Sequence, residues 1–119
     1  MDFDSIYNYC LSKPGTEETF PFDEHTLVFK VMGKMFAVMG LERSPRSINL
    51  KCDPDRSVEL RELHPDIQPG WHMNKIHWNT VLLEGELEDA LVYELVDHSY
   101  ELVVKKLSKK VQAELKELS

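Results

Sequence analysis

The chain has 119 residues, 42% of them hydrophobic, and its 14 lysines and arginines against 21 aspartates and glutamates leave a net charge of −7. That length suits one domain with a core that needs no staples, and the apolar content excludes a disordered chain. The longest apolar run, Met35–Met39, is far short of the roughly 20 residues of a membrane helix, so no membrane partner is expected.

Asp2–Lys13 reads as a short helix: Asp2 is placed to cap it, Phe3, Ile6, Tyr7, Cys10 and Leu11 recur at helical spacing, and Pro14-Gly15 stops it. Glu18–Phe22 has strand character, and Pro21 confines it to an edge or a strand end. Leu27, Phe29 and Val31 alternate with Val28, Lys30 and Met32. Gly33-Lys34 then fits a type II′ hairpin turn before Met35–Leu41, which places Lys34 at the tip. Ile48, Leu50 and Cys52 alternate with Ser47, Asn49 and Lys51 in a further strand.

Asp53-Pro54 is a strong helix start, and that helix ends near His64, ahead of Pro65. A Trp/His-rich loop leads into a strand, Ile76–Leu83. From Leu87 one long helix is expected, with Glu86, Glu88 and Asp89 at its positive end and Lys105, Lys106, Lys109 and Lys110 at its negative end. The order α-β-β-β-β-α-β-α predicts an α+β two-layer sandwich in a single domain, 1–119: an antiparallel sheet of about five strands with helices on one face.

Charge is unevenly spread. Residues 30–52 hold Lys30, Lys34, Arg43, Arg46 and Lys51 against one acid, for +4, whereas residues 76–104 hold seven acids and no base. A basic block can meet phosphates inside an acidic chain, because screening confines their attraction to about 8 Å. The same lysines can equally serve to solvate exposed strand faces.

Pro69-Gly70-Trp71-His72-Met73-Asn74-Lys75 and His77-Trp78-Asn79-Thr80-Val81, with Val28–Ala37, Asn49–Pro54, Pro21-Phe22, Leu60-Arg61-Glu62 and Ser99–Val103, resemble the MmcQ/YjbR family in type and order. The resemblance implies a twisted antiparallel sheet backed by helices, similar to CyaY-like and secretion-chaperone folds. It also implies DNA binding, a label that rests on likeness to a double-wing domain of a phage transcription factor. The chain departs from the family's pattern at Ile76, where members often carry a base, and at Trp71, where tyrosine is frequent.

A nucleic-acid surface would use Lys30, Lys34, Lys51 and Lys75 for phosphates, Asn79 or His77 for a base or sugar edge, and Trp71 for stacking, with His72 and Asn74 beside them. Trp71 and Trp78 read more readily as packing residues, Trp78 as an anchor in the core, and Asn74 is expected to hydrogen-bond nearby backbone. His72 and His77, five residues apart on an extended segment, do not share a face, so no metal or other cofactor is expected. Asp97-His98-Ser99 diverge around a helix and form no catalytic chain. Cys10 and Cys52 are expected as reduced, buried thiols. The acidic start, Met1–Asp4, lacks the features of a signal peptide, which makes the cytoplasm the expected location. The sequence thus points to a non-enzymatic, monomeric DNA-binding protein. The alternative is a protein-interaction module that uses the acidic surface and the C-terminal helix.

Overall fold

The computed structural model describes residues 1–119. Asp2 caps α1 (Phe3–Leu11) by accepting the Ser5 N–H, and β1 (Thr16–Thr19), β2 (Thr26–Val31), β3 (Lys34–Gly40) and β4 (Ser47–Lys51) follow. The Asp53 carboxylate accepts the Asp55 and Arg56 N–H groups at the start of α2 (Pro54–Leu63), where Pro54 has no N–H to satisfy. Then come β5 (Ile67–Pro69), β6 (Trp78–Leu82), α3 (Asp89–Lys105) and α4 (Lys109–Glu117). The strands form one antiparallel sheet in the order β1-β2-β3-β4-β6-β5. Its inner face meets all four helices in one core that includes Phe29, Phe36, Ile48, Leu50, Val96 and Leu115.

The fold class is the expected α+β sandwich, with six strands rather than about five. β5 has three residues, too few for alternation to announce a strand. β1 begins earlier than expected and ends at Thr19, which leaves Phe20 and Phe22 exposed beyond it. The β2–β3 turn is Met32-Gly33, with φ of +48° and +85°, and Val31 pairs with Lys34. Both central residues have positive φ, as a type I′ turn requires, so Lys34 opens β3 instead of forming the tip.

The expected long C-terminal helix is two helices. Ser108 breaks it, accepting the Val111 N–H as the cap of α4, and Leu115 docks the new helix against Gly15 and the core. Lys105 and Lys106 therefore end α3 as expected, but Lys109 and Lys110 stand at the positive end of α4, where the helix dipole disfavours them.

One irregularity decides the shape of the sheet. Phe29 pairs with Ala37 and Lys30 with Met35, so Phe36 is an extra residue in β3, and both Phe36 and Ala37 enter the core. The β3–β4 ladder holds only Ala37–Leu50 and Val38–Asn49. Past it, the buried Ser99 hydroxyl of α3 donates to the Phe36 carbonyl (2.6 Å) and accepts the Lys51 N–H (2.9 Å). Beyond Ser99 the strands no longer pair, and Cys52 N–H turns to the His77 carbonyl at 2.9 Å. We expect Ser99→Ala to lose about 2–4 kcal/mol of stability by chemical denaturation, because it strands a buried donor and a buried acceptor. A loss below about 0.5 kcal/mol would show that the strands close without the hydroxyl.

Candidate nucleic-acid interface

A cleft of about 670 Å³ lies at this unpaired end of β3 and β4. Lys34 and Met35 border it from β3, Lys51 from β4 and Trp78 from β6, while the junction of α3 and α4 adds Lys106, Leu107 and Ser108. No aspartate or glutamate lines it, and none of its three lysines is in an ion pair. Partial burial, reinforced by the charge of Lys106, holds the Lys51 ammonium below the ordinary lysine pKa. A smaller groove of about 190 Å³ adjoins it, sharing Lys51 and Lys106 and adding His77 and Asp53.

The structure therefore brings together Lys34, Lys51 and His77 from the expected surface and adds Lys106. Lys30 is set apart, beside its cross-strand neighbour Glu17 on the edge pair. Lys75 is occupied within the loop, its Nζ donating to the Gly70 carbonyl at 2.9 Å. Asn79 does not reach a base or sugar. It is buried on the helix-covered face, where its amide takes Arg61 Nε–H at 2.8 Å and donates to Ser57 Oγ at 3.2 Å.

Arg61 also donates to the Lys75 and Trp78 carbonyls, clamping the loop–strand corner to α2. Asn74 closes the corner as expected, its side-chain oxygen accepting the Ile76 and His77 N–H groups. β6 begins at Trp78, so Ile76, which was expected to open the strand, is 63% exposed in the turn before it. Trp78, expected as an anchor of the core, is buried instead on the outer face, as a wall of the cleft and outside the main core.

Trp71 belongs to a second place on that outer face. Thr80 donates to Asn49 Oδ1 (2.6 Å) and accepts the Trp71 N–H (2.8 Å), and Asn49 donates to the Trp71 carbonyl (3.2 Å). These buried side chains act as a substitute strand, holding the loop over the sheet. The Arg43 guanidinium lies 5.6 Å from the Trp71 ring centroid, within cation–π range. Arg43, Trp71 and His72 line a depression of about 360 Å³ with Phe22, Val38 and Met73. His72 has φ +60°, a left-handed conformation that is costly for a non-glycine residue. Hence Trp71 and His72 share a site with each other and not with the lysines.

Asp97, His98 and Ser99 are separately engaged. Asp97 accepts the Tyr9 hydroxyl and pairs with Lys13, His98 Nε2 accepts the Asp53 N–H at 3.1 Å, and Ser99 bridges the strands. No three His, Cys, Asp or Glu side chains gather as a metal site would need. Both cysteines are free and buried, and burial pushes the Cys10 thiol up to about 12, so it holds its proton.

Sequence reasoning missed Lys106 and Arg43. Lys106 was legible only as a match to the helix dipole, because the break at Ser108 that turns it toward the cleft was not foreseen. Arg43 was visible only as one charge of the basic block.

Fold and cleft together define a small α+β protein whose sheet is covered by helices on one face and rimmed by lysines at one open corner. The sequence pattern of the YjbR family matches residues 11–102. Two Escherichia coli relatives named as uncharacterised proteins are similar along almost their whole length. YjbR is 36% identical over 87% of this chain and 88% of its own, and YbdF 39% identical over 94% and 95%. The crystal structure of DR2400 from Deinococcus radiodurans superposes with a TM-score of 0.89 at 44% identity, covering 95% of this chain and 86% of that one. The chain belongs to the YjbR family. No helix of this chain is long and apolar enough to cross a membrane.

Two predictions follow from this geometry. Asn49→Ala should cost about 1–3 kcal/mol and speed hydrogen exchange at residues 70–77 while sparing the β2–β3 hairpin; uniform acceleration would refute the loop-holding role. His98 can accept the Asp53 N–H only when neutral. Burial, Arg56 and Lys105 lower its pKa from 6.5, against the opposing charges of Asp53 and Glu101. The folded state therefore binds fewer protons than the unfolded state. The contribution of His98 is whole above pH 6.5 and is lost as pH falls below it. Urea midpoints between pH 7.5 and 5.5 should fall further for the wild type than for His98→Gln, whose amide oxygen accepts at either pH.

Proposed function

We propose that this protein is a non-enzymatic nucleic-acid-binding module, acting as a monomer in the cytoplasm, and that the lysine-rimmed cleft meets the phosphates. The observation that carries this reading is the convergence of Lys34, Lys51 and Lys106 on one cleft with no acid in its lining, in a chain of net charge −7. Each long side chain of a solvating surface would ordinarily find an acid or open water. Here burial, and secondarily the charge of Lys106, hold the Lys51 pKa below its ordinary value, an arrangement that a bound anion relieves. Asp53 lies in the adjoining groove that shares Lys51 and Lys106, and acids farther than about 8 Å oppose binding only weakly at physiological salt. His77, beside Lys51 and Lys106, adds a donor for phosphate or sugar.

A second reading, a protein-interaction module, is favoured by the exposed Phe20, Phe22 and Leu41. It does not rest on the C-terminal helix as a free arm, because Leu115 of α4 is part of the core. Removing residues 108–119 would unroof that core and so does not test for a partner.

Mobility shifts and fluorescence anisotropy with DNA test the first reading. Binding should weaken as log Kd against log salt with a slope of about 2–3, as expected for roughly three phosphate contacts. The variant Lys34→Ala/Lys51→Ala/Lys106→Ala should lose at least about tenfold in affinity, while Lys30→Ala and Lys75→Ala stay close to the wild type. No binding to single- or double-stranded DNA at low salt sinks the reading.

A further inference from the structure

The lining of the cleft combines two chemistries, exposed or half-buried lysines and more buried apolar side chains. Lys34, Lys51 and Lys106 are at the rim, whereas Met32, Met35, Trp78, Val103, Leu107 and Val111 supply apolar lining. We propose that the cleft receives a single unstacked nucleotide unit, its phosphate among the three lysines and its base against the apolar lining. This rests on the nucleic-acid reading and deepens it, making the ligand a single strand or a free nucleotide rather than a duplex.

The lining carries the choice. A duplex turns its base faces toward one another and presents phosphate and sugar outward, so it would set charged groups against methionine and leucine side chains. A single strand has base faces to offer, and sequence-tolerant stacking or apolar contact of each base contributes much of the affinity of such sites. The volume of about 670 Å³ falls within the range of small-molecule sites, roughly 300–1,000 Å³. No carboxylate lines the cleft itself, and Asp53 belongs to the adjoining groove, so the three lysines set the charge of the lining. The Ser108 oxygen, which already accepts the Val111 N–H, keeps its own O–H free to donate. Burial, with the charge of Lys106 added to it, lowers the Lys51 pKa, as fits a partly desolvated cation beside a second one.

The same chemistry is available from a free nucleotide and from a strand, and the experiment separates them. A 12-nucleotide oligothymidylate, a blunt 12-base-pair duplex and AMP are titrated at 50 mM salt into the Trp71→Phe protein, in which Trp78 is the remaining tryptophan. The oligothymidylate should bind at least about tenfold tighter than the duplex and quench Trp78 emission. Lys51→Met should keep or raise the melting temperature, since it removes an uncompensated half-buried cation, and should lose at least about tenfold in affinity. Equal or tighter duplex binding without quenching overturns this inference and leaves the nucleic-acid reading standing. AMP binding without strand binding upholds the nucleotide site and overturns the strand reading. Absence of binding by all three overturns both. Displacement of the oligonucleotide by octanoate at AMP-like concentrations would overturn the preference for a base.

Discussion

The Ser99 hydroxyl holds β3 and β4 together at the point where their own hydrogen bonds stop. β3 carries an extra residue, Phe36, which drives a second large side chain into the core beside Ala37. That packing has a backbone cost, because the Phe36 carbonyl and the Lys51 N–H lose the partners a regular ladder would supply. One buried hydroxyl from α3 satisfies both. A methyl group in its place could fill the volume but not the hydrogen bonds, and buried unpaired backbone groups are among the costlier defects in a fold. The consequence is spatial as well as energetic. With Ser99 as a wedge, the strand ends stay open, and the gap between Met35 and Lys51 is available to be lined by the helices. Core packing and the cleft are thus two results of one bulge.

Polar side chains perform a similar service on both faces of β6. Beneath the helices, Asn79 joins Arg61 and Ser57. On the outer face Thr80 and Asn49 hold the backbone of Trp71. Neighbouring residues of one strand therefore both lie buried in polar networks, one under a helix and the other under a loop. Such networks are stable only when every member has a partner. This accounts for Asn74, Asn79 and Thr80 in the segment from Gly70 to Thr80, which fasten a long connection to the sheet, whereas His72 and His77 make no side-chain hydrogen bond there. Charge at the corner is also fixed by structure, with Arg61 serving carbonyls rather than an acid.

Much of the fold was legible because its signals are local. Asp2 and Asp53-Pro54 mark helix starts by cap chemistry, and β2, β3 and β4 announce themselves by alternation. The misplaced features depend on tertiary contacts. The hairpin turn moved back by one residue because Met32 accepts positive φ, a conformation no local rule assigns to methionine. The helix break at Ser108 follows from docking Leu115 against Gly15, two positions about a hundred residues apart. The candidate site suffered in the same way. Lys34 and Lys51 could be found from strand pattern and charge, yet Lys106 meets them only because α3 ends where it does. Asn79 reads as a contact for a base or sugar edge in the sequence because strand alternation cannot say that α2 covers its face of the sheet.

The cleft is also assembled from two parts of the chain with different standing. The matched family pattern ends at residue 102, after the strands that carry Lys34, Lys51 and Trp78. Val103, Lys106, Leu107, Ser108 and Val111 follow it and close the cleft from the helical side. In this chain the matched span builds the bulged sheet and its open corner, whereas the third lysine and much of the apolar wall come from the α3–α4 junction. A protein could share the whole pattern and still present an open, shallow basic corner instead of a cleft. The proposed binding chemistry at this corner thus depends on how the chain turns at Ser108, and the strands alone would supply charge without the apolar wall.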